Sequence, residues 1–270
     1  MARAIFKSWF VNFDPVRGKA SGEPPESICR RLALTPELLA LFPDGFQVSA
    51  LGETPEGWQI STMGALCTRI SMGPFGSDIK SANFVDEGVP IIRGGNLTNG
   101  FVGGKFVFLT ERKADELRNA NAHAGDIVIT HRGTLGQVGL LPRSRYTRYV
   151  VSQSQMVLVV NRELTTSRYL YEYLRLPIGQ HALLANTSQV GVPAIARPTT
   201  SVKAISLVSP PVSLLRAYED VSQPLFEAIL KALEQSCNLT ELRSALLPKL
   251  LSGELDVRSA NSELEELAAC

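Results

Sequence analysis

From Ser213 onward the chain carries one apolar stripe. Leu214, Tyr218, Val221, Leu225, Ile229, Leu233, Leu246 and Leu250 recur at three- and four-residue steps or their multiples, with Ser236, Thr240 and Leu242 or Arg243 filling the gap. That is the period of an α-helix, and it predicts one long helix over 213–252 with Ser213 as its N-cap. About 39 residues at 1.5 Å each make a rod of roughly 58 Å. A helix with a single apolar stripe needs a second surface to cover it, in the manner of a coiled coil. Pro248 removes one N–H and frees the Ser244 carbonyl, which predicts a kink in the last turns. Gly253 suits the left-handed position that follows a helix, and residues 254–270 form an acidic tail. At the other end, Ile5, Phe6, Trp9, Phe10 and Phe13 place apolar groups on one face of a short helix. Even fully helical, residues 1–13 cover only about 20 Å of the stripe. Asp14-Pro15 is expected to stop that first helix.

Between these ends the character changes twice. Residues 17–57 are rich in Gly and Pro and predict a linker that packs on something, with one short helix starting at Thr35-Pro36. Residues 58–212 alternate short apolar runs with glycine-containing turns. The runs 89–92, 106–109, 126–130, 137–141 and 156–160 read as strands; Glu111–Ala120 and Ser167–Leu176 read as helices, the second capped by Ser167. The fold class is therefore α+β: a globular domain over 58–212 with mixed or antiparallel β-structure, flanked by a helical end and linker (1–57) and by the long helix (213–253).

Length and composition close off several function classes. With 270 residues and 44% hydrophobic content the chain has material for a substantial core. No run approaches the roughly 20 apolar residues of a membrane span, and the N-terminus lacks a secretory cleavage pattern. Cys29, Cys67, Cys237 and Cys270 stand far apart, and with only His123, His131 and His181 beside them no zinc-ligand spacing exists. They read as reduced thiols of a cytoplasmic protein. No phosphate-cradling loop, nucleophile elbow or metal-spaced carboxylate set is present.

Net charge is only +1, but it is segregated. Residues 58–212 hold 16 basic against 9 acidic side chains, while residues 213–270 hold 5 against 10. A basic globular segment suits a polyanion. Within it the residue types of nucleic-acid contact cluster. Arg132-Gly133-Thr134 follows a strand directly; Arg143, Arg145 and Arg148 interleave with Tyr146 and Tyr149; Ser152, Gln153, Ser154 and Gln155 precede the next strand. Arginine and glutamine can read guanine and adenine edges in bidentate fashion, whereas Lys, Arg, Ser and backbone N–H hold phosphates. A solvated β-hairpin over 143–149 is the competing explanation. Gly73-Pro74-Phe75-Gly76-Ser77 is read first as a tight turn buried by Phe75, and alternatively as a backbone approach to a ligand.

The order of motifs carries a resemblance. Trp58, GPFGSDIK (73–80), VPIIRGGNL (89–97), AGDIVITHRGTLGQVG (124–139), VPAIARP (192–198), SPP (209–211) and LLPKLLSGELDV (246–257) resemble the second half of a specificity subunit of type I restriction–modification systems. FKSWFVNFDPV (6–16) and ALFPDGFQVSALGETPEGW (40–58) resemble the segment that joins the family's central helix to its second target recognition domain. The resemblance implies a non-catalytic subunit that reads double-stranded DNA. Its modification subunits carry S-adenosylmethionine, no cofactor is held by this chain, and a restriction subunit joins for cleavage. It further implies a half-length form that pairs with a second copy through the long helix, or with a separate N-terminal half-chain. The implied DNA-facing set is Lys80, Arg93, Asn96, Arg132, Thr134, Arg143, Arg145, Arg148, Gln153 and Gln155. Arg132 and Gln153 are assigned to base edges; Lys80, Arg143, Arg145 and Arg148 to phosphates; Gly94, Gly95 and Gly133 to close backbone approach. Trp58 is expected to pack, and Gly125-Asp126 to form a turn. Two other classes stay open at this point: a partner of modification subunits that does not itself bind DNA, and a stand-alone DNA-modifying enzyme.

Overall fold

A computed structural model describes residues 2–75, 78–188 and 191–254. The chain divides into two compact units, Met1–Gln223 and Pro224–Cys270. Together they give an α+β molecule with a β-rich domain and a long C-terminal helix, Val212–Leu251.

The first unit opens on helix Ala2–Phe10, whose apolar face is buried through Phe6, Trp9 and Phe10. That helix ends at Phe10, just before the expected stop, and Asp14-Pro15 itself opens a new helix. Phe13 takes a left-handed conformation (φ 56°), and a second helix, Asp14–Ala20, begins at once with its proline in the first turn. The reason is positional: a first-turn residue has no intrahelical partner for its N–H, so proline is tolerated there. Pro25 opens Pro25–Leu32 in the same way. Pro36 opens Pro36–Ala40, where Thr35 Oγ1 accepts from Leu38 N at 3.3 Å, as its N-cap reading requires. The linker of the sequence reading is thus a row of short helices followed by a hairpin, Phe46–Ser49 with Gly52–Pro55. Ile28, Leu39 and Phe42 are buried, and the Phe42 ring meets Trp9 edge-on at 5.3 Å.

The β-rich part starts and ends on one pair of strands. Gln59–Thr62 and Ser206–Ser209 lie antiparallel, Gln59 opposite Ser209. Between them sit two larger sheets. One has the strand order Cys67–Met72, Gln155–Val160, Ile127–Thr130, Val138–Leu140, Phe101–Val102, Leu97–Thr98. The other runs Asn121–Ala122, Tyr149–Val151, Val89–Ile92, Val107–Leu109, Phe84–Val85. Pairing is antiparallel except Val138–Leu140 with Phe101–Val102 and Tyr149–Val151 with Val89–Ile92, which are parallel. Val89–Ile92 and Ile127–Thr130 are buried along their whole length, which is why they read as continuous apolar runs. One apolar cluster draws on both sheets, among others Ile91, Ile92, Val128, Val150 and Val157.

The helix over Ser167–Arg175 is capped by Thr166, whose Oγ1 accepts from Tyr169 N at 3.3 Å; Ser167, the expected cap, is already helical. Likewise Ser213 is the second residue of the long helix. Leu214, Leu215, Tyr218 and Ser222 are buried. The Tyr218 ring lies 5.3 to 5.9 Å from those of Phe6, Trp9 and Phe10, and its hydroxyl donates to the Ala2 carbonyl at 3.3 Å. The first helix therefore covers the start of the stripe. Trp58 is buried and packs on Phe10 and Phe13.

The second unit carries the rest of the helix, which contains Pro224 as well as Pro248 and runs helical to Leu251. Gly253 follows in the left-handed region (φ 72°), its N–H donating to the Leu250 carbonyl at 3.3 Å. Ile229, Leu239, Leu242, Leu246, Leu247, Leu250 and Leu251 are exposed. The acidic tail beyond Glu254 lies outside the described residues. Among those residues no helix is long and apolar enough to cross a membrane, and no cluster of metal-ligating side chains occurs.

Candidate nucleic-acid interface

Register brings the first two site segments together. Thr130 pairs with Gln155 across two antiparallel strands, so the chain leaving Thr130 and the chain arriving at Gln155 share one end of the sheet. His131 fastens them. Its N–H donates to the Ser154 carbonyl at 3.0 Å, and ring Nε2 lies 3.1 Å from the Gln153 carbonyl. Its own carbonyl accepts from Ile195 N at 2.9 Å, and Gly133 N donates to Pro193 O at 2.8 Å. Burial pushes the His131 imidazole below its ordinary range; the Gln153 carbonyl opposes this, and neighbouring Arg132 reinforces it. Because a carbonyl oxygen only accepts, ring Nε2 is the donor to Gln153. Gly133 has φ +90°, a conformation that favours glycine. The turn so formed exposes Arg132 and Thr134. Gln180, on helix Pro177–Leu184, supports it further along by donating to the Gly136 carbonyl at 3.1 Å.

Beneath this surface runs a buried polar chain. Thr130 Oγ1 donates to Gln137 Oε1 (2.9 Å) and accepts from Gln155 Nε2 (3.2 Å). Gln137 Nε2 reaches the Gly94 carbonyl at 3.2 Å, and Ser152 Oγ donates to Gln155 Oε1. Gln155 is buried, and its carboxamide is hydrogen-bonded within the fold instead of standing free in solvent. Asn96 is likewise buried with its carboxamide engaged by the fold. Its Oδ1 accepts from Arg93 N (3.0 Å), and its Nδ2 donates to the carbonyls of Gly103 (3.0 Å) and Lys105 (2.9 Å). Both amides hold loops whose other residues, Arg93 and Gln153, are exposed.

Beside Arg93 and Gln153 lies a groove of about 380 Å³, walled by Pro74, Phe75, Ile79, Phe84, Ile91 and Val107 and floored by Gly94 and Ser152–Gln155. Gly73 makes its near wall possible: a Cβ there would stand 2.0 Å from the Ser152 carbonyl oxygen. Phe75 is 78% exposed, which overturns the reading of a turn buried by that ring. Gly76-Ser77 lies outside the described residues. Lys80, just beyond Ile79, is exposed.

The loop over 143–148 is not a hairpin. It leaves Val138–Leu140 in one sheet and enters Tyr149–Val151 in the other. Its centre is the Tyr146 ring, 5.7 to 5.9 Å from Phe106, Phe108 and Tyr149. Arg143 is exposed, and Arg145 lies over the Tyr146 ring at 4.8 Å. Arg148 differs. It forms ion pairs with Asp115 (2.5 Å) and Glu111 and is held charged by them. Its guanidinium is a tether to helix Glu111–Glu116 rather than an open phosphate contact. The Gly125-Asp126 turn forms as expected, with Asp126 Oδ2 accepting from His123 N at 2.8 Å; burial raises the Asp126 carboxyl.

Of the ten DNA-facing candidates named from the sequence, then, the fold gathers Arg93, Arg132, Thr134 and Gln153 on one surface, with Asn96 and Gln155 supporting it from below. Lys80 stands by the groove, and Arg143, Arg145 and Arg148 occupy a separate loop. His131, Gln137, Gln180, Phe75 and Phe84 fall outside that set of ten. Only tertiary packing distinguishes them from ordinary core or surface residues, although His131 and Gln137 do stand inside the AGDIVITHRGTLGQVG motif.

Comparison with known proteins agrees with this architecture. The chain is 25% identical to the specificity subunit of the type I restriction enzyme HindI of Haemophilus influenzae, over 94% of this chain and 61% of the relative. It is 20% identical to the MjaIX specificity subunit of Methanocaldococcus jannaschii, over 95% of this chain and 52% of that relative. The chain thus spans between half and two thirds of the curated relatives it matches. Its fold is similar to that of a type I restriction–modification S subunit from M. genitalium, with a TM-score of 0.53 and 16% identity, covering 92% of this chain and 55% of that one. The type I restriction modification DNA specificity domain family matches residues 55–213, more than half of the sequence, and to that family the chain belongs.

Proposed function

We propose that the chain is a sequence-specific DNA-recognition subunit, with 58–212 as its target recognition domain, and that it supplies reading rather than catalysis to a type I restriction–modification complex. The observation that carries this is the surface around His131, where Arg132, Thr134 and Gln153 stand exposed at one end of a sheet and Arg93, from the other sheet, shares a groove with Gln153. None of these four forms an ion pair among the described residues. In this reading Arg132, Gln153 and Arg93 face base edges, Lys80, Arg143 and Arg145 face phosphates, and Asn96, Gln155, His131 and Arg148 hold the loops that present them. Double-stranded DNA is the ligand. Modification subunits, which carry S-adenosylmethionine, are the partners, with a restriction subunit joining them. The names of the relatives and the exposed leucines of the helix support the partner assignment.

The long helix is the assembly element. Its exposed apolar side chains suit another helix, and an antiparallel pair of copies would place one recognition domain at each end. Such a twofold pair reads inverted half-sites, hence an interrupted palindrome. A separate N-terminal half-chain in place of the second copy would make the site asymmetric. Fluorescence anisotropy with a pool of random duplexes tests the recognition reading. Affinity should fall steeply with salt, about 0.9 in log–log slope per phosphate neutralised, and selection from the pool should enrich one sequence. A chain that binds no duplex, alone or with a modification subunit, is not a recognition subunit.

A further inference from the structure

Among the described aromatic residues only two are exposed, Phe75 (78%) and Phe84 (46%). Both line the same groove. Elsewhere the rings are packed against one another or into the core, so two aromatic faces left in water at one place call for a ligand. Neither ring is on a loose tether. Phe75 N donates to Asp78 Oδ2 (3.1 Å) and Asp78 N donates to the Phe75 carbonyl (2.9 Å); Gly73 N donates to the Gln155 carbonyl (2.9 Å). Phe84 is paired with Leu109 in a sheet.

The groove has two kinds of wall. Pro74, Phe75, Ile79 and Phe84 offer apolar surface, while Arg93, Gln153, Ser152, Ser154 and the Gly94 backbone offer donors and acceptors. Among the described residues no carboxylate lines it. Its volume of about 380 Å³ lies within the roughly 300–1,000 Å³ of small-ligand sites. A flat ring with apolar faces and a hydrogen-bonding edge, attached to a negative backbone, matches all three features. Bases in an intact duplex show only their edges, because their faces are stacked; aromatic walls therefore need a base that has left the stack.

We propose that this groove receives a single nucleobase swung out of the DNA, its face against Phe75 and Phe84 and its edge toward Arg93 and Gln153. The proposal rests on the DNA-recognition reading and adds a second mode of contact to it. Short fluorescent single strands of deoxyadenylate, deoxycytidylate and thymidylate are the probes, since their bases are already unstacked, with a random duplex measured in parallel on the full chain. At least one strand should bind. Phe75→Ala should weaken it roughly 5- to 150-fold, the worth of one base–aromatic stack, and Phe84→Ala should weaken it as well. Phe75→Tyr, which keeps the ring, should restore binding. Both rings are exposed enough that folding of the alanine variants is not at stake. If the parent binds the duplex but no single strand, or if Phe75→Ala binds strands like the parent, the groove is not a base site. If the parent binds neither probe, the recognition reading falls and the base site falls with it.

Discussion

Without the Asn96 carboxamide, the Arg93 N–H and the carbonyls of Gly103 and Lys105 would each lose a partner. Asn96→Ala should therefore destabilise the fold by at least about 1–3 kcal/mol, the cost of leaving buried polar groups unmade, read as a lower urea midpoint. The exposed arginines should behave differently. Arg143→Ala and Arg145→Ala are expected to leave stability alone, weaken all duplexes alike and each lower the salt slope by about 0.9, whereas Arg132→Ala should change which sequence is enriched. His131 adds a pH dependence. Its folded pKa lies below the ordinary 6.5, so below about that pH the unfolded chain binds a proton that the folded chain refuses. Stability from this residue is complete above the ordinary value and is lost as pH falls. The buried carboxyls of Asp126 and Glu172, both raised chiefly by burial, act in the opposite sense at lower pH. The comparison with His131→Gln isolates the histidine: between about pH 7.5 and about pH 5.5 the variant should lose less stability to urea than the parent. Equal losses would show that the imidazole is not the group responsible. Arg143 and Asn96 look equally suited to DNA as letters in a sequence; burial alone separates them.

At the scale of elements, the 143–148 loop crosses between sheets and is pinned at its end by Arg148 to Asp115 and Glu111. A tether and a phosphate contact make opposite predictions for the salt slope. Arg148→Ala should increase amide hydrogen exchange across 143–148 while leaving the slope within error of the parent; a fall of about 0.9 would return Arg148 to the phosphate set. Strands such as 127–130 and 156–160 are legible because both faces are largely buried and the runs 127–129 and 156–160 are wholly apolar. The hairpin reading of 143–149 fails for a related reason: local pattern cannot reveal that successive strands belong to different sheets. Helix starts at Asp14 and Pro25 escape a local reading because proline terminates a helix interior yet suits a first turn, and only the packing of Val16 and Ile28 decides between the two.

At the scale of the molecule, the exposed face of the long helix governs assembly. Ile229, Leu246 and Leu250, each a little over 40% exposed, would each gain about 0.6–1.3 kcal/mol on burial of the remainder. The chain should therefore sediment as a dimer at tens of micromolar, and Ile229→Lys or Leu225→Lys should dissociate it. A monomer indifferent to both substitutions would favour pairing with a different chain.

The α+β class, the long helix, several buried strands and the family were determined by the sequence itself. Apolar periodicity and motif order are local or linear properties, and each survives without knowledge of what touches what. The tertiary structure decided which polar side chains are spent inside and which remain for a ligand. Gln153 and Gln155 differ by two positions, yet strand pairing with Thr130 buries one amide and turns the other outward. Phe75, read as a buried anchor, instead stands in water beside Phe84, because both flank a groove formed only when segments 73–75, 84–85 and 152–155 meet. Burial is a property of pairs distant in sequence, so no local pattern carries it.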